Sequence, residues 1–90
     1  MMIPMLLQAA AYTKDYTAAW AMAGAAVGSG IAVVGAGIGI AGVGGKAVEA
    51  MARQPEMAGR IGTQGIIFAA LVEGAALIAI VVSFIVVFKF

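Results

Sequence analysis

Apolar positions fall in two long stretches of this chain, with one short polar stretch between them. The first, from about Thr17 to Gly45, is Ala, Gly and Val in near-continuous succession; the second, Ile61 to Phe88, is dominated by Val, Ile, Leu and Phe. At 1.5 Å per residue the first stretch makes a helix of about 43 Å, enough to cross the hydrocarbon and protrude. A lone span must satisfy its backbone internally, so helix is the available form even for a glycine-rich run. The polar stretch, KAVEAMARQPEMAGR, covers residues 46–60. Pro55 ends or kinks a helix there, Gln54 before it is pushed to an extended conformation, and Gly59 loosens the restart. Residues 1–16, MMIPMLLQAAAYTKDY, are a modestly apolar N-terminal extension ending in Lys14 and Asp15, expected as a half-helix at the membrane surface. LLQAAA resembles a small-residue cleavage region, but no positive segment precedes it, which argues against a cleaved leader. The pattern predicts an all-α membrane protein built as a hairpin of two transmembrane helices. Its parts are the extension 1–16, a first span 17–45, a polar loop 46–60 and a second span 61–88.

Thirteen glycines in one chain need a packing explanation, since glycine is a poor helix former. At 100° per residue, Gly24, Gly28, Gly35, Gly39 and Gly42 lie within roughly 40° of one direction. Ala26, Gly30, Gly37, Ala41 and Gly44 form a second smooth flank on almost the opposite side. Bulky Trp20, Val27, Ile31, Val34 and Ile38 lie between the two flanks. The remaining face carries Ala25, Ser29, Ala32 and Ala36 with Ile40 and Val43. One small-residue stripe suffices for a helix dimer; two stripes suit a helix touching identical neighbours on both sides. The expected assembly is a closed homo-oligomeric ring, with bulky residues facing a lipid-filled lumen and the last face meeting the second helix. The alternative is a glycine-rich span packed within some larger complex.

Composition agrees with a membrane and excludes much else. The chain is 64% hydrophobic and 10% charged, against about a quarter charged in soluble domains, and mean hydropathy is +1.13. A net charge of +1, with no basic patch, argues against nucleic acid. With no Cys and no His there is no thiol chemistry and no ordinary zinc site, so no metal and no cofactor is expected. Three of the five basic residues lie in 46–60, which places that loop on the cytoplasmic side and both termini opposite.

Glu73 is the only ionisable residue of the second stretch. A carboxylate within a span costs roughly 2.5 to 3.5 kcal/mol on insertion scales. In hydrocarbon the charged form of a carboxyl is disfavoured, and beside water or a fixed cation it is restored. A group whose charge depends on where it stands is what a proton carrier needs. The competing reading is a neutral Glu hydrogen-bonded to a carbonyl for helix packing, a task more often given to Ser, Thr, Asn or Gln. Sodium would need several oxygens around the site. Thr63 and Gln64 stand roughly 14 Å before Glu73 along a helix, Ser83 is as far beyond it, and Gly74 has no hydroxyl. The expected ion is H⁺.

Three features together resemble one family, the c subunit (proteolipid) of F-type ATP synthase. They are GAGIGIA at Gly35–Ala41, the loop ARQPE at Ala52–Glu56, and the carboxylate Glu73 at the family's spacing from RQP. The likeness runs from about Gly24 to Phe88 and leaves the N-terminal extension outside.

The resemblance implies a rotor ring of identical hairpins in the bacterial plasma membrane, non-catalytic itself. Glu73 would be reversibly protonated, neutral toward lipid and deprotonated opposite an arginine of the stator a subunit, so that proton flow turns the ring and drives ATP synthesis. Gly35, Gly37, Gly39 and Ala41 would pack the ring, and Arg53, Gln54 and Pro55 would meet the central stalk. Ala36 and Ile40 occupy positions that face the carboxylate in relatives. Ala41 departs from the last glycine of the motif. Ile40 and Gly74 stand where sodium-binding relatives carry Gln and Ser or Thr. Ile78 stands where many proton-binding relatives carry Tyr, leaving a backbone carbonyl near Leu71 or a trapped water to hold the proton of Glu73. A sodium-coupled rotor and a purely structural membrane hairpin are the alternatives.

Overall fold

The computed structural model describes residues 1–90 as two antiparallel helices joined by a tight reversal. Helix α1 spans Met2–Arg53 and helix α2 spans Ala58–Lys89, with one 3₁₀ turn, Pro55–Met57, between them. The molecule is a rod 81 Å long and 15 Å by 8 Å across. Of its 82 backbone hydrogen bonds, 78 lie within these elements, the self-sufficiency that hydrocarbon demands of a spanning segment. Both helices are long and apolar enough to cross a membrane.

The reversal is confined to four residues, and proline chemistry sets it. Gln54 leaves helical geometry at φ −131° and ψ 74°, as the steric demand of a following proline requires. Its N–H still donates to the Ala50 carbonyl oxygen at 2.9 Å, and the Met57 N–H donates to the Gln54 carbonyl oxygen at 2.9 Å. Pro55 opens the 3₁₀ turn, where its missing N–H loses nothing.

Two sequence expectations are adjusted here. The segment 46–60 is polar but mostly helical: Lys46–Arg53 continue α1, and Ala58–Arg60 open α2. KAVEAMAR is made of residues tolerated in helices, with Glu49 and Arg53 paired four apart at 3.7 Å. The extension 1–16 is likewise no separate piece, since α1 starts at Met2 and passes through Thr17 without interruption. Gly59 lies inside α2 rather than before it.

The helices meet along the face of α1 that the sequence reserves for its partner. Ala25, Ser29, Ala32, Ala36, Ile40 and Val43 are each half-buried, while the bulky Val27, Ile31, Val34 and Ile38 are exposed. Small residues on both helices admit this approach. A Cβ on Gly65 would lie 3.5 Å from Ala47 Cβ, one on Gly62 would lie 3.3 Å from Met51 Cε, and one on Gly39 would lie 3.6 Å from Val72 Cγ1. No residue is buried in the hairpin by itself. A pair of helices cannot form a core, so the remaining apolar surface is left for lipid or for other chains.

Candidate functional site

Glu73 stands halfway along α2, about 24 Å from either end at 1.5 Å per residue. It is exposed, whereas its neighbours Val72 and Gly74 are half-buried. Val72, Ala76 and Ala69 face α1, and one step of 100° turns Glu73 to the flank of the hairpin. Within the hairpin it makes no hydrogen bond and no ion pair. The carboxyl is thus presented to whatever lies beside the hairpin, at mid-span.

The other sequence-predicted residues divide around this point. Ala36 shares an open groove with Val72, Ala75 and Ala76, immediately beside Glu73 in the chain. Ile40 lies nearer the turn, in a groove with Gly44, Ala47, Gly65 and Ala69. The Leu71 side chain points about 160° around the helix from Glu73, so only its backbone is near the carboxyl. Gly74 meets nothing that an added Cβ would touch. Arg53, Gln54 and Pro55 are exposed at the far end of the rod. Arg53 reaches only Glu49, at 3.7 Å with both side chains largely exposed, a pair of little energetic weight. The structure therefore places Ala36 in a groove with Val72, the residue before Glu73, and keeps Arg53, Gln54 and Pro55 at the far end of the rod.

The glycine stripe behaves differently along its length. Gly39 faces Val72, but Gly35 and Gly37 have nothing within 4 Å of an added Cβ, and Ala41 is exposed. These positions are not used inside the hairpin. Gly62 and Gly65 of α2 are contact residues that sequence reasoning missed. Their signal lies in the three- and four-residue spacing of Gly62, Gly65, Ala69, Val72 and Ala76.

The hydroxyls are each occupied by their own helix. Thr63 Oγ1 donates to the Gly59 carbonyl oxygen at 2.9 Å, Ser29 Oγ to that of Ala25 at 2.8 Å, and Ser83 Oγ to that of Ala79 at 3.0 Å. None is turned toward Glu73.

A two-helix membrane hairpin with a single carboxylate at mid-span, on an otherwise apolar flank, is the class these features define. Within it, the family model for the ATP synthase c subunit matches residues 23–86, and the chain belongs to that family. The ATP synthase c subunit of Phocaeicola vulgatus is 54% identical over 88 residues, 98% of this chain and 99% of the other. Its counterpart in Bacteroides thetaiotaomicron is 50% identical over the same length and shares. The Enterococcus hirae c subunit is 44% identical over 71 residues, 79% of this chain and 90% of its own. No solved structure matches. The chain is a membrane protein of the ATP synthase complex.

Proposed function

We propose that this chain is the proton-carrying rotor subunit, with Glu73 as the reversibly protonated group. The observation that carries the reading is the carboxyl's placement: halfway along α2, without an internal partner, and on the outside of the hairpin. A Glu serving the fold would be bonded across to α1; this one is left for a site outside the chain. While it faces lipid the neutral form is favoured, and opposite a stator arginine the charged form is. Alternation between the two moves the ring one copy at a time past two half-channels and couples proton flow to ATP synthesis.

The ring itself would use the smooth flanks of α1, where Gly35, Gly37 and Ala41 lie open, with Gly39 lying nearer α2. Arg53, Gln54 and Pro55 would meet the central stalk, which suits their exposure at the turn. The loop would be cytoplasmic and the termini on the other side of the bacterial plasma membrane, by the excess of Lys and Arg near the turn. The proton is favoured over sodium because Thr63 and Ser83 each lie ten residues from Glu73, about 15 Å along the helix, and Ser29 lies at the level of Ser83, leaving few side-chain oxygens near the carboxyl to replace a sodium ion's hydration.

Glu73→Gln tests this directly. The variant should assemble as the unaltered chain does, yet ATP-driven proton pumping by the whole complex should fall to background; pumping at the unaltered rate overturns the reading. A hydrophobic carbodiimide should label Glu73 more readily as pH falls. Protection from it by Na⁺ would instead mark a sodium site.

A further inference from the structure

We propose that the N-terminal part of α1 forms, with the same segment of neighbouring copies, a helical collar that continues the ring beyond the membrane; this rests on the ring reading above. The end of α2 lies beside Met22, which shares a groove with Phe84 and Val87. Lys89 closes α2 at that level. About 20 residues of α1 therefore project past it, roughly 30 Å, and residues 1–17 are all exposed. The family model begins only at residue 23, so the projection lies outside the part it describes, although the two relatives that match over 98% of the chain carry such a segment too.

The projecting segment cannot fold back onto the lipid surface without breaking. From Met5 to Ala23 it holds neither Gly nor Pro, the usual causes of a sharp kink. Yet its tip is too apolar to stand alone in water: Ile3, Leu6 and Leu7 are 60–70% exposed, a patch that calls for an occupant.

Sidedness identifies the occupant. Tyr12, Tyr16 and Trp20 stack in a ladder at 6.3 and 6.2 Å between ring centroids. Tyr16 and Trp20 prolong the bulky face that carries Val27 and Ile31, which the ring reading turns to the lumen, and Tyr12 lies at the edge of that face. Lys14 stands four residues before Ala18 and so continues the opposite face, toward α2 and the outside of the ring. Lys14 lies outside and Tyr16 and Trp20 inside, the arrangement of one stave of a barrel. One flank carries Ile3, Leu6, Ala10 and Thr17 and the other Gln8, Asp15 and Ala19, side chains that suit helices 8–10 Å apart. Copies of this same segment cover Ile3 and Leu6 of the exposed tip, and their aromatic ladders narrow the mouth of the lumen.

The chain has no cysteine of its own, which makes the test clean. Gln8→Cys combined with Ala10→Cys puts thiols on opposite flanks. In the purified full-length particle, oxidation or a short bis-maleimide should give a ladder of linked species ending at the copy number of the ring. Ala11→Cys, seven residues before Ala18 on the outward face, should give no ladder. An imaged ring without the Gln8–Ala10 ladder, or with an equal one from Ala11→Cys, overturns the collar and leaves the rotor reading intact. A mature chain whose mass lacks residues 1–11 does the same. A particle that is no ring overturns both.

Discussion

Glu73 and the glycines are legible from sequence to different depths. That an unpaired carboxylate sits in an apolar run needs only the order of residues. That it faces away from α1 needs the register of the two helices, which Gly39 against Val72, Ala47 against Gly65 and Met51 against Gly62 fix. The same register sorts the glycines into those used within the hairpin and those left open. Gly65 faces Ala47, and a Cβ there would make an ordinary contact at 3.5 Å. Gly65→Ala should therefore be accepted, with a gain of about 0.5–1 kcal/mol in helix propensity, whereas Gly65→Leu should drive the helices apart. Gly37 has nothing within 4 Å. Gly37→Leu should leave the hairpin inserted and helical but abolish ring assembly, read as a shift from one large particle to single hairpins in mild detergent. A full-size ring from Gly37→Leu would remove that flank from the interface.

Among the elements, the division into two spans and a turn is readable because proline and polarity punctuate the chain. The full extent of the helices is not. Polarity marks where a chain leaves hydrocarbon, while backbone hydrogen bonding decides where a helix stops, and only Pro55 stops one here. Lys46 to Arg53 are therefore polar and helical at once, and the helix carries Arg53 to the tip of the rod. The single bond Arg53 makes is the exposed 3.7 Å pair with Glu49, so losing it should barely change stability. Arg53→Gln should give a ring of unaltered thermal stability. If Arg53 meets the central stalk, the same variant should hydrolyse ATP with much reduced proton pumping, measured as acidification of inverted vesicles per ATP consumed. Unaltered coupling would free Arg53 from that role. Pro55→Ala acts on the turn itself. Freed from the proline, Gln54 can re-enter helical geometry, and the amides of Gln54, Glu56 and Met57 should exchange with solvent several-fold faster, in keeping with a loss of about 0.5–1 kcal/mol.

For the whole molecule, the decisive property is that it has helices and no interior. A soluble chain of this length would bury part of its apolar surface against itself; this one buries no residue completely and leaves Ile38, Ile66 and Phe88 at least two-thirds exposed. Sequence shows that surface as hydropathy but not how the proposed ring would divide it among lipid, neighbours and lumen, because that division would depend on other copies of the chain. Secondary structure and assembly must then come apart under different stresses. Helicity rests on backbone bonds made within each helix, which water-poor solvent strengthens. In the proposed ring, assembly would rest on close contact along Gly and Ala flanks, where van der Waals packing is the source of cohesion and any solvent of lipid-like polarity competes. An organic solvent mixture should therefore dissolve the ring into single hairpins while circular dichroism keeps its helical amplitude. Return to mild detergent or lipid should restore the large particle without a helix-forming step. If helicity fell in parallel with ring dissolution, the contacts between copies would be holding the helices themselves, and the hairpin would not be the unit from which the ring is built.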